Sequence, residues 1–180
     1  MKFSRYVFRT VNYLNKHHLN SPRVKGFIGE NLVNSVLLNE PYKLHNVIIT
    51  GNKKAQIDHI LISNKGIIVI ETKNYQGLIN GKVNEKYWIQ YLNKKQYVFL
   101  NPIRQNNYHL NVLVERYPNY KKFFHSVIVF TRNAQVIIDD KTKTIYVDEL
   151  AKYLENTPDT GLTLAEQKEL FDSLSAFKQE

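Results

Sequence analysis

Cysteine is absent from this chain of 180 residues. Its absence excludes disulfides, cysteine-based zinc sites and thiol nucleophiles, and it suits a reducing compartment. Long apolar runs are absent too, since no segment approaches the roughly 18 consecutive apolar residues of a membrane span. Residues 1–20 lack the continuous apolar stretch and the small-residue cleavage site of a signal peptide. We therefore expect a cytoplasmic protein with no membrane partner.

Acidic residues are missing from the first part of the chain. No Asp or Glu precedes Glu30, and residues 1–147 hold 22 of the 25 basic side chains but only 8 of the 16 acidic ones. A basic body with an acidic C-terminal segment suits a polyanionic partner such as nucleic acid. On charge alone, a basic composition bias explains the pattern equally well.

Internal repeats, low-complexity tracts and Gly/Ser-rich linkers are also absent. A hydrophobic fraction of 43% argues against disorder and allows one core in a chain of this length. The sequence predicts a basic, helical N-terminal extension (residues 1–23), a core domain (residues 24–147) and an acidic helical segment packed on that core (residues 148–180). The role of the extension stays open among a packed element, a DNA-contacting arm and a partner-binding helix.

Hydrophobic periodicity predicts an α/β (α+β) fold, with a central mixed β-sheet flanked by helices. A helix over residues 24–39 precedes three strand-like runs, and the short turns between these runs predict an antiparallel meander. Asn101 and Pro102 are a favoured N-cap and first residue of a helix, and Thr163 opens a capping box. The predicted strands cover residues 44–50, 56–63, 66–73, 77–79, 87–92, 96–100, 127–131, 136–138 and 144–147, and the further helices cover residues 102–117, 148–156 and the segment after Thr163.

Polar side chains interrupt two of the apolar strands. Asp58 lies within the hydrophobic run of residues 56–62, and Glu71 and Lys73 end the next run. Because side chains alternate faces along a strand, Glu71 and Lys73 point the same way. If the short turn at residues 64–66 pairs the two strands, Asp58 falls opposite the Glu71 region. The three groups are therefore predicted to converge at one end of the sheet.

Two carboxylates buried together are unstable unless a cation neutralises them. Oxygen ligands, with no Cys and few His, favour Mg²⁺ over zinc, with Mn²⁺ as a substitute. A lysine beside such a metal can hold a water or offset charge on a phosphate, as metal-assisted phosphodiester hydrolysis requires. The alternative is a salt bridge between Glu71 and Lys73 at the sheet edge, with Asp58 a solvated acid near a turn. The position of Asp58 one strand earlier favours a site.

Asp58, followed by Glu71-Thr72-Lys73, resembles the D…(D/E)-x-K signature of the PD-(D/E)xK, or restriction-endonuclease-like, nuclease superfamily. More closely, the chain resembles the nuclease-related domain family, often called NERD, in six motifs that follow in order over roughly residues 26–131. Ile57 stands where many superfamily members have a proline, which is not a metal ligand. The six motifs are Gly29-Glu30, Ile57-Asp58-His59, Gly66-Ile67 with Ile70-Glu71-Thr72-Lys73-Asn74, the turn at Gly77, Trp88, and Asn101-Pro102-Ile103-x-Gln105 leading to His109.

The resemblance implies a Mg²⁺-dependent nuclease that hydrolyses phosphodiester bonds, above all those of DNA. In such an enzyme Asp58 and Glu71 would ligate the metal, joined by the backbone carbonyl of Thr72. Glu30 would add a ligand or order a metal-bound water. The remaining two members of the predicted catalytic set are Lys73, which would orient the attacking water, and Gln105, which would position the substrate.

Several of these residues also have simpler interpretations. Glu30 lies beside the apolar face of its helix, where an acid in the first turn is favoured by the helix dipole. Gln105 and His109 share a stripe that, taken alone, is typical of a solvated helix face. His59 alternates away from the predicted site and is expected to be structural, and Trp88 and its neighbouring tyrosines are expected in the core.

The partners implied are nucleic acid, above all DNA, and either a second copy of the chain or another DNA-processing protein. Two functions of other classes stay open. One is a non-catalytic module that binds nucleic acid in a salt-dependent way, and the other is a regulatory domain whose carboxylates are structural. The combined presence of five residues favours the enzyme, because a binding domain has no chemical need for this set: Glu30, Asp58, Glu71, Lys73 and Gln105.

Overall fold

The structure is a computed structural model that describes residues 21–51, 53–140 and 144–179. The helix predicted within residues 1–20 lies outside these ranges. The described helices are α1 (Pro22–Val36), α2 (Pro102–Arg116), α3 (Leu150–Asn156) and α4 (Leu164–Ser175). The described strands are β1 (Lys43–Ile49), β2 (Ala55–Ser63), β3 (Gly66–Lys73), β4 (Gly77–Gly81), β5 (Tyr87–Leu92), β6 (Lys95–Leu100), β7 (Phe124–Phe130), β8 (Ala134–Ile138), β9 (Thr144–Tyr146) and β10 (Lys178–Gln179).

Helix α1 begins at a strong N-cap. The Ser21 side chain accepts a hydrogen bond of 3.3 Å from the backbone N–H of Val24, and Pro22 occupies the first helical turn. The helix ends at Val36, three residues earlier than predicted, and the fully buried Leu37 follows as its C-cap. Within the described part of the chain, no helix is long and apolar enough to cross a membrane.

The described strands form two sheets. The larger has the order β10-β1-β2-β3-β7-β9 and the smaller the order β6-β5-β4-β8. The antiparallel meander predicted for β1, β2 and β3 is confirmed, with His59 opposite Ile70. Strand β3 pairs in parallel with β7, and β4 with β8, so both sheets are mixed. The predicted mixed α/β fold flanked by helices is therefore confirmed and is consistent with a restriction-endonuclease-like core, although its strands divide between two sheets instead of one.

A tight hairpin joins β5 to β6. Asn93 and Lys94 have φ angles of 51° and 62°, which is the left-handed conformation that a two-residue turn needs to match the strand twist. Strand β6 therefore begins at Lys95, one residue earlier than predicted.

Two buried amides position helix α2: one caps it, and the other holds it over the larger sheet. The side chain of Asn101 caps the helix as predicted, accepting a hydrogen bond of 2.9 Å from the N–H of Ile103. One turn later Asn106 donates to the Val69 carbonyl at 2.8 Å and to the Ser126 hydroxyl at 2.9 Å. These bonds tie α2 to β3 and β7, so the helix lies beside the end of β3.

The core of the smaller sheet centres on Trp88, which is fully buried and stacks on Phe130 with a centroid distance of 6.5 Å. Its core position is as expected from the sequence. The expectation fails for its neighbour Tyr87, which is 49% exposed because it lies on the opposite face of β5. In the C-terminal segment, the predicted capping box of Thr163 and Glu166 is present at the start of α4.

Candidate active site

Asp58 and Glu71 lie at the same end of the larger sheet, where β2 and β3 stop pairing. The last pair of the β2–β3 ladder is His59 with Ile70, so Asp58 and Glu71 are the next residues along each strand. The backbone N–H of Thr72 donates a hydrogen bond of 2.8 Å to Asp58 Oδ2. This bond replaces the next rung of the ladder and turns the Asp58 carboxylate toward the end of β3.

Glu71, Lys73 and Gln105 form a chain of polar contacts. The Lys73 ammonium donates to Glu71 Oε1 at 2.5 Å and to Gln105 Oε1 at 3.1 Å. Glu71 is only 1% exposed, because α2 covers it and β3 runs between two neighbours. A Glu71–Lys73 salt bridge is therefore present, as the simpler interpretation of the sequence expects. It is buried beside Asp58 instead of solvated at a sheet edge.

The electrostatics of these groups reflect two acids that share one partly buried cation. Burial, together with the negative charge of Glu71, raises the pKa of Asp58 to about 8. Burial also raises the pKa of Glu71, although Lys73 opposes this rise. Burial lowers the pKa of Lys73, but the charges of Glu71 and Asp58 outweigh it and leave that pKa above its usual value. The lysine is therefore charged at neutral pH.

His109 also joins this group. It ends the sixth family motif, although its stripe with Gln105, taken alone, is typical of a solvated helix face. Its Nδ1 lies 3.5 Å from Glu71 Oε2, and the residue is 5% exposed. Burial and the nearby charge of Lys73 lower the pKa of His109 to about 4, so the imidazole is neutral at physiological pH. The sequence did carry a signal that His109 is buried. Pro102, Asn106, His109 and Leu113 recur at helical spacing, and in the structure they lie on the buried face of α2.

Glu30 reaches the site from α1. Its Oε2 accepts a hydrogen bond of 3.1 Å from the Asn46 side chain on β1. The backbone of Asn46 has a φ of 51°, so this residue departs from regular strand geometry where it meets Glu30. Gly29 allows the close approach, because a Cβ at that position would stand 2.9 Å from Asn74 Cβ and 3.3 Å from Thr72 Cγ2.

The backbone carbonyl of Thr72 points toward Asp58. The neighbouring carbonyl of Lys73 accepts a hydrogen bond of 3.1 Å from the N–H of Thr131, on the β7 side. Successive carbonyls of a strand point in opposite directions. The Thr72 carbonyl therefore faces the β2 side, where Asp58 lies.

All five predicted catalytic residues line one open cleft of about 900 Å³. Its walls come from α1, the start of β2, the end of β3, the β5–β6 hairpin and α2. Among the described residues, the acids that line it are Glu30, Asp58 and Glu71, and lysines 25, 54 and 73 supply positive charge. His59 does not line this cleft and is buried beneath β2, in agreement with the structural role expected for it.

The residues of the cleft fit a divalent metal that brings its own waters. Among the described residues, no three His, Asp or Glu side chains stand close enough to hold an ion together. Mg²⁺ commonly takes only one or two carboxylates and completes its shell with water and substrate phosphate. The buried Glu71 Oε2 makes no hydrogen bond within the described chain, since the His109 nitrogen at 3.5 Å does not satisfy it. This oxygen and the raised pKa of Asp58 indicate a carboxylate pair that one lysine does not fully neutralise.

Asp58 lies on β2, and Glu71 and Lys73 lie at the end of β3. A mixed fold with this arrangement of acids and lysine defines a protein of the restriction-endonuclease-like class. The chain belongs to the nuclease-related domain family, because the model of that family matches residues 25–131. It is also 32% identical to an uncharacterized protein of Bacillus anthracis, in an alignment that covers 93% of this chain and 82% of that protein. No solved structure matches the chain.

Proposed function

We propose that this protein is a Mg²⁺-dependent nuclease that hydrolyses phosphodiester bonds of DNA. One observation carries the proposal: Asp58 and Glu71 lie side by side in a cleft, with the charged Lys73 next to them and a buried carboxylate oxygen without a partner. Membership of a nuclease-related family and the basic character of residues 1–147 support the same activity.

The carboxylates of Asp58 and Glu71, with the carbonyl of Thr72, would hold the metal, and Mn²⁺ would substitute for Mg²⁺. The cation would supply Lewis acidity and an activated water. Glu30, oriented by Asn46, would add a ligand or accept a hydrogen bond from a metal-bound water.

Lys73 would act directly on the substrate. Its ammonium is held between Glu71 and Gln105, and its raised pKa keeps it charged. It can donate hydrogen bonds to the attacking water and to a phosphate oxygen as negative charge develops there. Gln105 would set the direction of this ammonium and contact the phosphate through its amide.

Cleavage of supercoiled plasmid tests the proposal, with Mg²⁺, Mn²⁺ or EDTA in parallel reactions. We expect metal-dependent nicking by the wild type, and losses on the order of 10²-fold or more in Glu71→Gln and Lys73→Met. Lys168→Ala is the matched control, because it removes a lysine from an exposed ion pair on α4, away from the cleft. Equal rates in wild type and in folded Glu71→Gln protein would contradict the proposal.

A non-cleaving nucleic-acid-binding module is the second candidate. The direct contact between Lys73 and Glu71 favours it, because this pair neutralises one acid without any metal. Under this alternative the protein binds DNA in a salt-dependent way and shows no turnover with either metal. The same plasmid assay, followed by a binding measurement on the same proteins, separates the two functions.

A further inference from the structure

One face of the β5–β6 hairpin continues from the core into the cleft. Trp88 and Phe99 form a cross-strand pair in the core, and the next pair on the same face is Gln90 with Tyr97. Gln90, Tyr97 and Leu92 all line the cleft. The hairpin is therefore a wall of the candidate active site, and its aromatic side chain on that wall is Tyr97.

The base of this wall is rigid. Gly81 lies against the Trp88 ring so closely that a Cβ there would stand 2.2 Å from it. The indole N–H of Trp88 donates to the Lys82 carbonyl at 2.9 Å, and the rings of Tyr75 and Phe99 pack with centroids 4.5 Å apart. A ring held on such a base is presented to a ligand without a large ordering cost.

The Tyr97 side chain lies half exposed on the hairpin. It is 48% exposed, and within the described part of the chain it makes no hydrogen bond, ring contact or cation–π contact. Its cross-strand partner Gln90 is instead tied down, since its amide donates to the Gln76 carbonyl at 2.8 Å. An exposed aromatic face beside the cleft therefore has no polar or aromatic partner among the residues that the structure describes.

The remaining polar groups of the cleft suit a strand of phosphates. Lys25 bonds to Gln76 at 3.4 Å and so lies near the hairpin wall, while Lys54 lies near α2, where its carbonyl accepts a hydrogen bond of 3.1 Å from the Tyr108 hydroxyl. Both lysines line the cleft, and Tyr108 is itself 44% exposed. Cations and exposed aromatic rings in one groove are the features of proteins that bind single strands.

We propose that Tyr97 is a stacking platform for an unpaired base, so that this cleft takes single-stranded DNA in preference to duplex. The inference rests on the proposed function, because it assigns a substrate class to the same site. In a duplex both faces of each base are covered by neighbouring bases, whereas an unpaired base offers a face to the Tyr97 ring. Stacking needs no hydrogen bond, so the platform tolerates any base sequence.

Binding in EDTA tests this inference apart from cleavage. The probe is a fluorescent oligothymidylate, with a duplex of the same length as its comparison, and anisotropy gives the dissociation constants. We expect tighter binding of the single strand by the wild type and a loss of about 5- to 100-fold in Tyr97→Ala, with a much smaller loss on duplex. Tyr97→Phe keeps the ring and should bind as the wild type does.

Tyr87→Ala is the matched control. Tyr87 is on the same hairpin, has nearly the same exposure and lies on the opposite face, so its removal should leave single-strand binding unchanged. The inference is overturned if the wild type does not bind the oligothymidylate, if Tyr97→Ala binds it as tightly as wild type, or if Tyr97→Phe is as weak as Tyr97→Ala. Tyr97-dependent binding without any cleavage would sustain the platform and reject the nuclease. If the protein cleaves DNA and Tyr97→Ala changes neither binding nor cleavage, the nuclease is sustained and the platform is rejected.

Discussion

His109 Nδ1 lies 3.5 Å from Glu71 Oε2, and neither atom makes a hydrogen bond within the described part of the chain. Because the pKa of His109 is lowered to about 4, this is a neutral ring beside an acid and not an ion pair. Among the described residues around these two carboxyl groups, Lys73 therefore supplies the positive charge and His109 supplies none. In the metal-free protein the net charge of this site changes when Asp58 gains or loses its proton, so the stability of the fold depends on pH.

We predict that the metal-free protein is most stable near pH 6.5. Below that pH the neutral, buried His59 and His109, whose pKa values are lowered to about 4, are protonated more readily in the unfolded chain, so stability is lost as the pH falls from about 6.5 to 4. Asp58 acts oppositely, because its pKa is raised to about 8 and the folded state binds its proton more tightly. Its stabilising contribution is therefore lost over the whole interval from about pH 4 to 8. The two histidines oppose this loss below about pH 6.5 and no longer do so above it, so stability falls as the pH rises from about 6.5 to 8.

Thermal unfolding in EDTA across this pH range measures the effect. A carboxyl group whose folded pKa is about 8 loses about 1 kcal/mol of stabilisation between pH 7 and pH 8, or roughly 2–4 °C in Tm for a chain of this size. Asp58→Asn cannot ionise and should lose the alkaline fall while keeping the acidic one. Mg²⁺ should raise Tm more at pH 8 than at pH 6. A wild-type curve that stays flat from pH 6.5 to 8 would contradict the prediction.

A second prediction concerns the buried pair of Glu71 and Lys73. Lys73→Met leaves Glu71 buried without its cation, and breaking a buried pair in this way typically destabilises by about 3 kcal/mol or more. Glu71→Gln in the same chain removes the uncompensated charge, so the double variant should recover most of that loss. Urea unfolding at pH 8 of wild type, both single variants and the double variant gives the coupling energy. Additive effects would mean that the two side chains do not stabilise each other.

The meander that carries Asp58 and Glu71 could be predicted from the sequence, because its signals are local. Short turns bound β2 and β3, alternation fixes which side chains share a face, and the Asn101 cap begins α2 where it was expected. The convergence of Asp58, Glu71 and Lys73 follows from these same features, whereas the expectation that Gln105 joins them rested on the family resemblance. Their catalytic and metal-binding roles stay predictions.

The residues that the sequence did not reveal depend on long-range packing. His109 and Asn106 are polar, so their stripe on α2 is typical of a solvated face, yet Asn106 is buried because β3 and β7 offer it acceptors. The second sheet was missed for a similar reason, since the pairing of β4 with β8 joins segments more than fifty residues apart. The exposure of Tyr97 likewise depends on which hairpin face reaches the cleft.

The third prediction uses the two glycines of α1. A Cβ at Gly29 would stand 2.9 Å from Asn74 Cβ, so Gly29→Ala must push α1 away from the end of β3, at a cost of about 1–3 kcal/mol. The shift also moves Glu30, so metal-dependent cleavage should fall further than the stability does. Gly26→Ala is the matched control, because its Cβ would meet only Glu30 Oε1 at 3.8 Å. It should gain up to about 1 kcal/mol from helix propensity and keep its activity.

The fourth prediction separates the two tasks of Asn46, which adopts a positive φ and orients Glu30. Asn46→Gly keeps the backbone conformation but removes the amide, so stability should change little while more Mg²⁺ is needed for half-maximal cleavage. Asn46→Ala loses the amide as well and adds strain of roughly 1–2 kcal/mol at this φ. Tm and a Mg²⁺ titration of both variants measure the two effects. If Asn46→Gly cleaves with the same Mg²⁺ dependence as wild type while Glu30→Gln does not, then Glu30 acts without the orienting bond from β1.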